Sequence, residues 1–522
     1  MDKLQLSRLS DLLITSIEKE EIKNQTKLGI NVSRFISEIA TWYEKFRNAM
    51  DYRDEEVVRR AAIERILKRR LLFGGDGQKI APILIRELLW ARYFPESSIS
   101  EDEVKKVARV IDLYLELRRQ LLNLQLKIKV DIIIYQLLSS RLETMLNKNK
   151  DIDFISNYIF HILKDHLTIA DDTTETRDIQ LFLAIRRAFA KDDIAFLRFR
   201  LFEQYFGELN EHNLYSIVAN FKKGYKEMEH QIHYPLKERI TSYVKKQIPP
   251  FLIFGEILRR ERGETRTLIN DTQRFMDAIF QTADARYRTI IGKVRRAIIR
   301  AVIFILLTKF IFAFSVELSY DNLFLGKVMW KSILMNIFIP PLLMIIASFF
   351  IRTPDKKNTE RIYEHIQNIL FTENPKLDRP LVLSLNPVKK HPILDFIFTI
   401  LWLAAFIFSF GTIIFILNKL DFNIASEIVF LFFVALVSVF TYRISQTAGS
   451  YTVAAKQSLF APILDFFFMP IIRVGRRLAE GLAQINIFLY LFDYLIETPF
   501  KEVFGFLEQW FFFLQTKREE LG

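Results

Sequence analysis

Residues 297–316 read AIIRAVIFILLTKFIFAFSV, and residues 332–351 read SILMNIFIPPLLMIIASFFI. Two apolar segments of about 20 residues, joined by the short stretch 317–331, have the length and composition of a membrane-crossing hairpin. The first carries Lys309 near its middle, and the second carries Pro340 and Pro341. A charge and an interrupted backbone ladder are both costly in lipid, so each demands compensation. The pair predicts a multi-pass membrane protein.

The same signal recurs towards the C-terminus. Phe396–Leu417 contains no charged residue, and neither does the shorter Ile428–Tyr442, which reaches spanning length only if Ile424–Glu427 enter the interface. Four crossings in two hairpins are expected, at 297–351 and 393–443. Lysine and arginine set the orientation. Lys293, Arg295, Arg296 and Arg300 precede the first crossing, and eight basic residues from Arg352 to Lys390 fill the loop 352–392. The two short turns hold only Lys327, Lys331 and Lys419. The bias places both termini and the middle loop in the cytoplasm. The start, MDKLQLSRLSDLL, lacks the apolar core and cleavage site of a secretory signal. A bacterial inner membrane is the expected compartment.

Upstream the character changes. The chain of 522 residues is half hydrophobic yet 26% charged, and the charges crowd into its first 296 residues. Few prolines or glycines interrupt that half, and helix formers dominate it. The segments 3–23, 33–50, 54–72, 79–94, 102–147, 151–169, 175–206, 211–247 and 265–300 read as helices. Leu117, Leu121, Leu124, Ile128, Tyr135, Leu138, Leu142 and Met145 form a 3-4 stripe broken only by Asp131, the seam of a coiled coil or the spine of a bundle. Flanking Ile132, Ile133, Ile134 and Leu137 widen the face and favour the bundle. Residues 265–296 predict a stalk helix running unbroken into the first crossing.

Chemistry-bearing motifs are sparse. With no cysteine, disulfides, thiolate metal sites and cysteine nucleophiles are excluded. GGDGQK at 74–79 lacks the spacing and the preceding strand of a phosphate loop and reads as a helix–helix turn. Glu227, His230 and His233 lie near one helical face and are weak metal-ligand candidates, with the i,i+4 pair His161 and Asp165 the one plausible second contribution; solvated histidines are the simpler reading. No nucleophile elbow or isolated carboxylate pair is present. The net charge of +12 fits anionic headgroups beside a cytoplasmic surface better than nucleic acid, because acidic residues interleave with the basic ones.

Depth counting links the two anomalies of the first hairpin. Lys309 and Pro340 fall at similar depths in antiparallel helices. Pro340 and Pro341 free the carbonyls of Asn336 and Ile337, and an ammonium has three donors to fill. The expected partners of Lys309 are those carbonyls or the Asn336 side chain, with Glu317, two turns away, a weaker candidate. In the loop 352–392, Asn358 and Thr359 are expected to cap a short helix with an Ile362, Ile366, Ile369 and Leu370 stripe. The aromatic tail 444–522 is expected to form amphipathic helices, lying on the membrane or docked on the rest of the protein.

The expected fold is all-α: a cytoplasmic helical domain (1–264), a stalk, two transmembrane hairpins and C-terminal helices. The leading functional expectation is a membrane-anchored interaction or scaffold protein without catalytic activity or cofactor. Its partners would be the bilayer with its anionic headgroups and a cytoplasmic protein. The alternative is an oligomeric channel or transporter in which Lys309 and the Pro340-Pro341 break line or gate a path.

Overall fold

A computed structural model describes residues 5–23, 37–44, 57–72, 74–95, 98–261, 263–375, 380–385, 392–453 and 461–483, with isolated residues between 503 and 514. The described chain is almost entirely helical and divides into two units. One comprises 4–245 and 369–385, with 487–522; the other comprises 246–368 and 386–486, with Met1–Lys3.

The helical unit contains α1 (Arg8–Lys23), α2 (Val58–Leu71), α3 (Gly77–Trp90), α4 (Glu101–Asn123), α5 (Val130–Leu146), α6 (Asp151–Leu163), α7 (Thr174–Ile185), α8 (Ile194–Phe206) and α9 (Leu214–Ile232). Ser100 and Glu103 close a reciprocal capping box at the start of α4, which satisfies two backbone donors that the first turn leaves open. Asp76 caps α3 by accepting from the Lys79 amide, so GGDGQK is a helix start. The segment 102–147 is two helices and not one. The chain turns over 124–129, with Gln125 at a positive φ, and Arg118 pairs with Asp131 across the turn at 2.6 Å. Both helices send most of the 3-4 stripe into the same core, where Leu117, Leu121, Leu138 and Leu142 are fully buried, while Leu124 in the turn is exposed.

Two strands escaped the helical reading. β1 (Leu167–Ile169) pairs in parallel with β2 (Leu381–Leu383). The proline-rich stretch after residue 371 therefore contributes an edge strand. The residues that follow it, 386–391, lie outside the described set.

Helix α10 (Lys237–Arg260) contains Pro249 and Pro250 and runs past residue 247, where the segment 211–247 was expected to end. The second unit starts within this helix, at Lys246. Asp271 accepts from the Arg274 amide and opens α11 (Thr272–Phe312), an unbroken helix of 41 residues. It continues as π-helical turns over Ala313–Glu317 and Asp321–Leu325. α12 (Trp330–Ser348) holds Pro340 and Pro341 inside a continuous helix. α13 (Lys356–Phe371) follows, then α14 (Pro392–Lys419), α15 (Ile424–Ala448) and α16 (Ala461–Ala483). Four helices, Thr272–Phe324, Trp330–Ser348, Phe396–Lys419 and Ile424–Tyr451, are long and apolar enough to cross a membrane. The last of these exceeds the uncharged stretch 428–442.

The cap of α13 is Asp355, which accepts from the Asn358 amide at 2.9 Å, and not Asn358-Thr359. Those two side chains turn inward. Asn358 Nδ2 donates to Tyr287 Oη and to the Tyr451 carbonyl, and its Oδ1 accepts from the Val453 amide. One amide thus ties α11, α13 and the end of α15 together. α16 packs on α14 and α15. Ser409 Oγ donates to the Phe467 carbonyl, and the Arg473 guanidinium lies over the Trp402 ring. Partners on α14 fall in number as those on α16 rise, so the two helices run antiparallel. Gly475 faces the Ala435 carbonyl so closely that a Cβ would stand 2.3 Å from its oxygen. Most of the tail beyond Ala483 lies outside the described residues.

Candidate functional site: a buried polar cluster among the apolar helices

The most unusual chemistry sits where α11, its π-helical extension, α12 and α15 meet. Lys309 Nζ lies 3.2 Å from Glu317 Oε1, and both side chains are 0% exposed. The Phe433 ring of α15 covers the ammonium at 4.8 Å from its centroid, a cation–π arrangement that adds to the charge pair. Glu317 Oε2 accepts from Ser426 Oγ at 3.1 Å, and Asn336 Nδ2 donates to the Ser426 carbonyl at 3.1 Å. Three apolar helices thereby share one ionic cluster.

The expected ranking of partners is reversed. Among the described residues, Lys309 makes no hydrogen bond to the carbonyls of Asn336 or Ile337, and its partner is Glu317. A carboxylate offers a full opposite charge where a freed carbonyl offers a dipole, and charge-assisted bonds are about twice as strong as neutral ones. Asn336 joins the cluster one step removed, through Ser426. Ile337 packs with Ile333 and Ala313 in an apolar contact. Pro340 and Pro341 are buried in α12 and hold no ligand of the ammonium.

The π-helical turns matter here. Eight residues of ordinary helix separate two side chains by about 12 Å of rise and about 80° around the axis. The wider winding over Ala313–Glu317 changes that register, and single π-turns recur at functional positions. A second polar contact lies one turn further on. Asp321 is fully buried; its carboxylate accepts from the Met329 amide at 2.8 Å and from Asn423 Nδ2 at 2.7 Å. Asn423 also caps α15 by accepting from the Ser426 amide. Asp321 thus bridges the starts of α12 and α15, where helix amides suit negative charge.

Ser426, Asp321, Asn423 and Phe433 were missed by sequence reasoning. Their signal was present: an Asn and a Ser open an otherwise apolar helix, and an acidic residue sits between two long apolar segments. Two polar atoms in this region lack a partner among the described residues, Asn336 Oδ1 and Ser332 Oγ.

The metal-ligand candidates do not converge. His230 Nδ1 stands 3.7 Å from Glu227, while His233 Nε2 stands 3.4 Å from Glu229, and both imidazoles are exposed, the first on α9 and the second at its C-cap. Among the described residues no group of three such side chains is arranged to hold a metal ion. The helical unit does carry dense buried ion pairs. Glu87 accepts from Arg69 and Arg70, and Arg60 meets Glu64 and Asp193. Burial pushes the Glu143 carboxyl up despite Arg59 beside it. For Glu64 burial also pushes upward, but Arg60 and Lys68 outweigh it and hold the carboxyl below its ordinary value. An open cavity of about 820 Å³ lies among α6, α7 and α8, lined by Phe160, His161, Asp178, Phe182 and Arg200.

No protein-family model, no curated protein and no solved structure matches the chain.

Proposed function

We propose that the protein is a multi-pass membrane-anchored interaction protein. In this reading its four apolar helices cross a bilayer, its N-terminal helical unit stands in the cytoplasm, and that unit engages a cytoplasmic protein. The observation that carries the reading is the Lys309–Glu317 pair. It is sealed at 0% exposure and satisfied by the protein's own carboxylate, serine and phenylalanine. A charge partnered in this way acts as a fastening between crossings, and the large helical unit remains as the working surface. Catalysis has no part in this reading.

A second reading, an oligomeric channel or transporter, draws support from the unpartnered Asn336 Oδ1 and Ser332 Oγ and from the π-helical turns. Reconstitution separates the two. Liposomes carrying the wild-type protein should show no more ion or small-anion flux than empty ones, and Lys309→Leu should lower stability without creating or abolishing a flux. A wild-type flux that Lys309→Leu removes would overturn the anchor reading. Orientation is tested in the same preparation from cells. The chain has no cysteine, so a membrane-impermeant thiol reagent should label Lys327→Cys from outside intact cells and leave Ser445→Cys unlabelled.

A further inference from the structure

One end of the apolar unit carries four basic stretches. On α11 residues 290–301 read IIGKVRRAIIRA, and the end of α12 continues as FFIRT at 349–353. The end of α15 reads FTYRISQTAGS at 440–450, and α16 contributes IIRVGRRL at 471–478. None of these stretches holds Asp or Glu. The packing places them at one level. Val294, Ala301, Ile444 and Ala448 share a core, and Ala297 and Ile351 lie against it. Arg295, Arg296, Arg300, Arg352 and Arg443 adjoin those residues in sequence and are all exposed. Gly475 rests on Ala435 and Val439, one turn from Arg443, which brings Arg477 of α16 towards the same level.

These arginines differ from those of the helical unit. Among the described residues, Arg295, Arg296, Arg300, Arg352, Arg443 and Arg477 have no carboxylate partner, whereas Arg60, Arg69, Arg70, Arg141, Arg186 and Arg200 are all in ion pairs. A guanidinium fork matches phosphate oxygens in a bidentate geometry. Basic residues immediately beside membrane crossings are attracted to anionic lipid. Asp355, the nearest acid after Arg352, accepts from the Asn358 amide at the start of α13.

We propose that this belt binds the phosphate-bearing headgroups of anionic phospholipid, with Arg300 contributing from α11, Arg443 from α15 and Arg352 from the stretch just after α12. The proposal rests on the membrane-crossing reading above. It makes the belt a lipid-selective collar and assigns those three side chains a ligand.

The test is lipid binding to the full-length protein in neutral detergent, followed by native mass spectrometry. Phosphatidylglycerol is titrated in one arm, phosphatidylcholine in a second and inorganic phosphate in a third. The wild type should retain phosphatidylglycerol in clear preference to phosphatidylcholine, and inorganic phosphate should not displace it. Roughly fivefold in affinity is expected per arginine, so Arg300→Gln, Arg352→Gln and Arg443→Gln together should weaken phosphatidylglycerol binding roughly 100-fold. The Arg→Lys triple variant, which keeps the charge and loses the bidentate fork, should bind between the wild type and the glutamine variant. Equal retention of the two lipids, displacement by phosphate, or a glutamine triple variant with wild-type affinity would each overturn the proposal. If the glutamine variant does not fold, high salt decides on the wild type, because screening should erase the preference and an unchanged preference would contradict it. Thiol labelling of Ser445→Cys reports orientation separately, so a wrong topology and an absent lipid site give different results.

Discussion

Arg69–Glu87 in the helical unit and Lys309–Glu317 in the apolar unit are both buried ion pairs, built in different ways. Glu87 receives two arginines, and one of them, Arg70, is partly exposed and carries the network towards water. Lys309 and Glu317 share a single contact, with an aromatic ring and a serine hydroxyl to finish the shell. The first pair can borrow solvent if one member is lost. The second cannot. A buried pair rarely adds net stability over a well-packed apolar replacement, but removing one member leaves an uncompensated charge. The comparison therefore predicts unequal responses to equal chemistry.

The largest effect is expected from Glu317→Ala, which strands the Lys309 ammonium and should cost about 4 kcal/mol, read as loss of thermal stability in detergent. Glu87→Gln removes the partner of two arginines that lie nearer water, and should cost about 3 kcal/mol in the same measurement. If the two losses were equal, solvent access would not be the distinguishing variable. Gly475→Ala probes packing alone, since the new methyl would press on the Ala435 carbonyl; overpacking of this kind costs about 2 kcal/mol, and the loss should not depend on pH.

The smallest effect carries a pH signature. Glu64 has a folded-state pKa held below the ordinary 4.5, so the folded protein binds fewer protons there than the unfolded chain. The stability it confers is complete above 4.5 and fades as pH falls through the depressed folded value. Glu64→Gln should cost about 1 kcal/mol at neutral pH and nothing at a pH below both values. Chemical denaturation at neutral and acid pH checks this. A loss independent of pH would show that Glu64 acts through packing and not charge.

How much of this was readable beforehand varies with the physics involved. The apolar segments were legible because hydropathy over about 20 residues is a direct consequence of bilayer thickness. The break between α4 and α5 was not, because antiparallel helices facing one core preserve most of a 3-4 stripe through a turn. Pro249-Pro250 and Pro340-Pro341 both lie inside helices; their missing donors did not end the helix at either place. In the polar cluster, Lys309 was found by its isolated charge. Its partner was ranked wrongly because depth counting treats an ordinary helix as the ruler, and the π-helical turns at Ala313–Glu317 change the spacing. Asn358 was legible as a special residue but not in its role, since its amide is used across elements far apart in sequence.

The central claim is that Lys309 and Glu317 act as one fastening among the apolar helices. A double-mutant cycle on Lys309→Met and Glu317→Gln, followed by thermal unfolding of the purified protein, tests it most directly. The account predicts that Lys309→Met and Glu317→Gln are each strongly destabilising, and that the double variant, with no charge left to strand, is more stable than Glu317→Gln alone. Additive losses, with the double variant the least stable of the three, would contradict it.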